Sequence, residues 1–119
     1  MGKALLKTNL ASNLQKLDIF ANLKPRWDGH NAPSIPSEVI RKTRELIGEL
    51  SHQPELFPTA LKTIQLEYCN SQNDHMEIEV SDSSTAQLFI VAHSGGETVE
   101  TIPFDVHSIS ERVSQFCEQ

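Results

Sequence analysis

Thr63-Ile64-Gln65-Leu66-Glu67-Tyr68-Cys69-Asn70-Ser71-Gln72-Asn73-Asp74-His75-Met76-Glu77-Ile78-Glu79-Val80 decides the fold class of this chain. Ile64, Leu66 and Tyr68 alternate with Thr63, Gln65 and Glu67, while Met76, Ile78 and Val80 alternate with Glu77 and Glu79. A two-residue period gives each segment one apolar and one polar side, as in a strand that buries a single face. The intervening 70–74, built from Asn, Ser, Gln and Asp, predicts a hairpin loop.

Ser81-Asp82-Ser83-Ser84 predicts the next turn, and Gln87-Leu88-Phe89-Ile90-Val91-Ala92, apolar on both faces, predicts a central third strand covered on both sides at least in part. Ser94-Gly95-Gly96 predicts a tight turn into a fourth strand over 98–104, where Pro103 marks an edge or an end. Val106, Ile109, Val113 and Phe116 then recur at helical spacing, with Ser108 and Glu111 as a capping box.

Upstream the period is 3.6. Over 8–22, Leu10, Leu14, Leu17 and Ala21 form one row, extended by Leu6 and capped by Thr8 or Asn9. Over 36–51, Val39, Ile40, Thr43, Leu46, Ile47 and Leu50 form a second stripe, with Arg41, Lys42, Arg44, Glu45 and Glu49 off it and Ser34 or Ser37 as cap. Pro54 and Pro58 predict an irregular connection. The expectation is one α+β domain over 1–119: two N-terminal helices, a four-stranded antiparallel meander sheet and a C-terminal helix.

Between the first two helices lies Arg26-Trp27-Asp28-Gly29-His30-Asn31-Ala32-Pro33-Ser34-Ile35-Pro36. Asp28 can accept from the backbone two residues on, Gly29 can take positive φ, and Pro33 and Pro36 hold the exit extended. Trp27 is expected to anchor this loop, its indole N–H finding an acceptor. This segment, the helix after it, Pro54 and Pro58, and Thr63-Ile64-Gln65-Leu66-Glu67-Tyr68 resemble a widespread group of small bacterial proteins. Those carry W-D-G-(aromatic)-x-A-x-P-(I/V), a helix, a proline-containing connection and G-x-I-x-L-E-W. The likeness covers roughly residues 22 to 82, with His30 for the aromatic, Lys62 or Thr63 for the glycine and Tyr68 for the last tryptophan. The group has no established activity, so the resemblance bears on the fold alone.

Net charge is −6 over 119 residues, but it is unevenly placed. Through Lys62 nine Lys or Arg stand against six Asp or Glu, whereas 63–105 holds eight acids and no Lys or Arg. That balance disfavours direct nucleic-acid binding, which needs clustered cations. Apolar runs are too short to span a bilayer, the early-charged start does not fit a signal peptide, and Leu6 in place of Ser or Thr misses the myristoylation pattern. Cys69 and Cys117 fit no metal spacing and read as free thiols, so a cytoplasmic location is expected. His30, His52, His75, His93 and His107 lack ligand spacing, so neither a metal nor a cofactor is expected.

Two places can carry function. One is the loop, through Trp27, Asp28, His30 and Asn31; the other is an acidic sheet face on which Glu67, Glu77, Glu79 and Glu100 are expected to lie together. No nucleophile motif accompanies Asp28 and His30, so no catalytic residue is assigned. The reading is a non-enzymatic protein-interaction module of the antitoxin, immunity or phage-related inhibitor type, docking a basic protein partner. Its alternative is a small-ligand-binding or hydrolytic domain using Asp28 and His30. A homodimer through an exposed sheet edge is a further expected partnership.

Overall fold

The computed structural model of this chain describes residues 9–119. Thr8 and Leu6, named above for the first helix, lie outside them. Helices α1 (Leu10–Ala21) and α2 (Ser37–Ile47) precede strands β1 (Glu55–Pro58), β2 (Ile64–Cys69), β3 (His75–Val80), β4 (Thr85–Val91) and β5 (Glu97–Pro103), and α3 (Val106–Cys117) closes the chain. The strands form one antiparallel sheet in sequence order.

The class is α+β, but the expectation of four strands is wrong: the sheet has five. The extra strand, β1, lies in the proline-flanked connection, where Glu55, Leu56, Phe57 and Pro58 pair with Glu67, Leu66, Gln65 and Ile64. Proline breaks a strand only where its missing N–H would have entered the ladder. The Thr59 N–H donates to the Thr63 carbonyl at 3.0 Å. Antiparallel alternation from that pair turns Pro58 away from β2, so its ring costs the sheet no hydrogen bond.

The β2–β3 hairpin forms as its alternation predicts, with Leu66 opposite Ile78 and Tyr68 opposite Met76, all buried. Asn70 shapes its loop: its side-chain oxygen accepts from the N–H groups of Gln72 and Asp74, both at 3.0 Å. The same side chain donates to the Phe116 carbonyl at 3.2 Å, tying the hairpin to the end of α3. Strand β4 lies inside the sheet, between β3 and β5, as expected. Ala86 and Leu88 are buried, while on the other face Gln87 is exposed and Phe89 and Val91 are half-buried, so β4 is covered fully on one face and in part on the other.

Leu17, Val39, Leu46, Ile47, Ile109 and Val113 pack with Leu56, Leu66, Ile78 and Leu88 from the inner sheet face as a single core. Each such side chain contributes about 1.5–3 kcal/mol. Helix α1 is capped by Asn9, whose side chain accepts from the Ser12 N–H at 2.9 Å. Its buried row is Asn13, Leu17 and Phe20. The expected row is rotated, because Leu10 and Ala21 are exposed. The rotation places the Asn13 amide where it donates to the Pro54 carbonyl at 2.9 Å and to Gln53 Oε1 at 3.0 Å.

Two other caps differ from expectation. Pro36 caps α2 without a side-chain bond, rather than Ser34 or Ser37. Asp105 caps α3, accepting from both the backbone N–H and the hydroxyl of Ser108 at 2.8 Å, so Ser108 is the guest of a cap and not its host. Lys42 is buried, although it reads as off the apolar stripe. Its ammonium donates to the Ser81 carbonyl at 2.8 Å and to that of Ser83, and it sits 4.3 Å from the centre of the Phe104 ring. It thereby latches α2 onto the β3–β4 turn. Among the described residues no helix is long and apolar enough to cross a membrane.

Candidate interaction surfaces

The loop between α1 and α2 is closed on itself. Arg26 and Gly29 take φ of 70° and 81°, and the Gly29 N–H donates to the Arg26 carbonyl at 3.0 Å. Asp28 Oδ1 accepts from the N–H of His30 at 2.9 Å and that of Ala32 at 3.2 Å. The Arg26 N–H and guanidinium reach the carbonyls of Ala32 and His30 at 2.6 and 3.1 Å. Trp27 is half-buried against the edge of the core, and its indole N–H donates to the Pro33 carbonyl at 2.9 Å.

This geometry speaks directly to acid–base chemistry at the loop. The His30 N–H, foremost, and then the Ala32 N–H hold the Asp28 carboxyl below its ordinary pKa, which makes it a weak base. The His30 ring faces the Asp28 backbone carbonyl at 3.3 Å, not the carboxylate. His30 and Asn31 are exposed. The four loop residues are therefore neighbours in the chain, with Trp27 and Asp28 committed to the loop's own shape.

The outer sheet face is where the acids gather. Strand register aligns Glu55, Glu67, Glu77, Phe89 and Val99 in one row across the sheet. Beside it run Phe57, Gln65, Glu79, Gln87 and Thr101. These positions lie opposite in parity to the core-facing Leu56, Leu66, Ile78 and Leu88, so they share the other face. Partial burial, with Glu77 and then Glu55 adding like charge, pushes the Glu67 carboxyl above its ordinary pKa, while His75 pulls the other way. Glu79 accepts from the Thr63 hydroxyl at 2.7 Å, and Glu55 pairs with Lys16 at 3.0 Å. Phe57 and Val99 on this face are 43% and 65% exposed.

Glu100 does not belong to this patch. It stands opposite Leu88, on the helix side, and forms a two-pronged pair with Arg112 of α3 at 2.7 and 3.0 Å. That guanidinium holds the Glu100 carboxyl below its ordinary pKa. The sequence hides this because β5 carries no alternation: Val99 and Ile102 fall on opposite faces, so either parity is open. Glu55, hidden among prolines, and the aromatic and aliphatic positions Phe57, Phe89 and Val99 that border the acids carry no sequence signal of their place on this face.

A shallow groove of about 540 Å³ lies between α2 and the turn leading to α3, lined in part by Arg41, Lys42, Asp82, Phe104 and Asp105. Its charges are largely spent internally: Arg41 pairs with Glu38 and Glu45 at 2.6 and 2.8 Å, and Asp105 caps α3. Among the described residues no group of three His, Cys, Asp or Glu side chains is placed to hold a metal ion. Comparison of the chain with family models, with curated proteins and with solved structures finds no match.

Proposed function

We propose that this protein is a non-enzymatic interaction module of the cytoplasm that docks a basic protein partner on the outer face of its sheet. The observation that carries the reading is the row Glu55–Glu67–Glu77, flanked by Glu79 and bordered by the exposed side chains of Phe57 and Val99. Stacking like charges across neighbouring strands costs stability. A fold that keeps them there gains a field that steers a cationic surface onto it, and the apolar border supplies area to bury once contact is made. A toxin with a cationic groove, or a nucleic-acid-binding protein whose basic surface is masked, has the matching chemistry.

An antitoxin, immunity protein or phage-related inhibitor that covers a partner's basic site would work in this mode. Support for the sheet over the loop comes from Asp28 and Trp27, whose polar groups are already satisfied within the loop. The test is capture of partners from the native host by the full chain at low and high salt. A basic protein held at low salt and released at high salt supports the reading. Partners of neutral or acidic character, held equally at both, overturn it.

A further inference from the structure

The two edges of the sheet are built differently. On β1, Leu56 and Pro58 turn their backbone groups outward. Leu56 is buried, Pro58 has no N–H, and the carbonyl of Pro54 just before the strand is taken by Asn13. That edge is closed to another strand.

On β5 the ladder is fixed at both ends. The Phe104 N–H donates to the Ser84 carbonyl and the Ala92 N–H to the Gly96 carbonyl, each at 2.8 Å. Both bonds give the same parity: Thr98, Glu100 and Ile102 turn their backbone groups toward β4, and Glu97, Val99, Thr101 and Pro103 turn theirs away. Pro103 removes one outward donor, leaving Glu97, Val99 and Thr101 as a lane of N–H and C=O groups. All three residues are exposed, and among the described residues no strand lies beside them.

We propose that β5 pairs antiparallel with β5 of a second copy of this chain, about a two-fold axis at Val99. In that register Glu97 exchanges hydrogen bonds with Thr101 of the second copy, Val99 with Val99, and Thr101 with Glu97. Side chains then match without conflict: Glu97 stands opposite Thr101, Thr98 opposite Glu100, and Val99 against its own copy, so no carboxylate faces a carboxylate. Moving the axis to Glu100 places Glu100 against Glu100. Moving it to Thr98 sets Thr101 against Gly95 in the turn. Only the axis at Val99 uses the whole open lane without setting like charges together.

The pairing also joins the two outer faces, so that Phe89 and Val99 of each copy form one apolar strip with Glu67 and Glu77 on either flank. This dimer is independent of the basic partner, and its salt dependence has the opposite sign. Each copy carries a net charge of −6, so added salt relieves repulsion between copies while it weakens docking of a cation.

Sedimentation of the full chain over a range of concentrations, at low and high salt, tests the proposal. The expected mass rises toward twice 13.3 kDa with concentration, and more readily at high salt. Val99→Pro deletes an outward N–H without touching the β4 ladder, and Val99→Lys sets two ammonium groups against each other at the axis. Each is expected to give a monomer with unchanged far-ultraviolet circular dichroism. A wild-type chain that stays monomeric at every concentration, or a dimer that both variants retain, overturns the proposal.

Discussion

Glu67 and Glu77 stand directly opposite each other on β2 and β3, with Glu55 on the far side of Glu67 in the same row. Both residues are half-buried, and the row that holds them, Glu55, Glu67, Glu77, Phe89 and Val99, contains no cation. The arrangement works against the stability of the isolated chain, and its consequence is measurable.

Because the Glu67 carboxyl is raised above its ordinary pKa by burial and by Glu77, the folded state binds its proton more tightly than the unfolded state does. The penalty is fully present above the folded pKa and absent below the unfolded one, near about 4.3. Glu67→Gln is therefore expected to melt at a higher temperature than wild type at pH 7. The gap should close as pH falls through the glutamate range, and thermal melts at several pH values check this.

Asn13 and Leu10 distinguish the observed face of α1 from the one that leucine spacing predicts. Asn13→Ala removes two hydrogen bonds and leaves the Pro54 carbonyl buried without its donor, a loss of about 2 kcal/mol. Leu10→Ala, on the exposed side, is expected to change stability by less than about 0.5 kcal/mol. Urea unfolding of the two variants gives the comparison.

Much of the architecture was legible in the spacing of apolar residues, and the misses share a physical cause. Ile64, Leu66 and Tyr68 fixed β2 because one face of a strand must be apolar when the other meets water. Strand β1 escaped notice because Pro54 and Pro58 are strand breakers everywhere except at an edge. Glu100 lies on the face opposite to the expected one because β5 has no core-facing run to set its parity. Asn13 and Lys42 are polar groups buried through bonds to carbonyls far along the chain, and periodicity carries no trace of such partners. The loop was better specified, since Asp28 and Gly29 act on backbone groups within a few residues.

For the loop, Trp27→Ala is expected to cost about 2 kcal/mol, less than the ~3–5 kcal/mol of a fully buried aromatic, because the ring is only half-buried. Trp27→Phe should lose about 1 kcal/mol through the missing bond to the Pro33 carbonyl. His30→Ala should leave the unfolding midpoint unchanged, its ring being exposed.

Lys62 holds φ at 68°, a left-handed conformation that glycine adopts freely and other residues adopt at a cost. Lys62→Gly is expected to raise stability by up to about 1 kcal/mol, the relief of strain outweighing the greater freedom of an unfolded glycine. A lower melting temperature for this variant would contradict the assignment of strain there.

Docking on the outer sheet face is tested by comparing partner capture by wild type and by Glu67→Gln/Glu77→Gln at low salt. The double variant is expected to fold, to melt no lower than wild type and to lose the basic partner, while His30→Ala keeps it. Capture undiminished by the double variant, or abolished by His30→Ala, would contradict docking on that face.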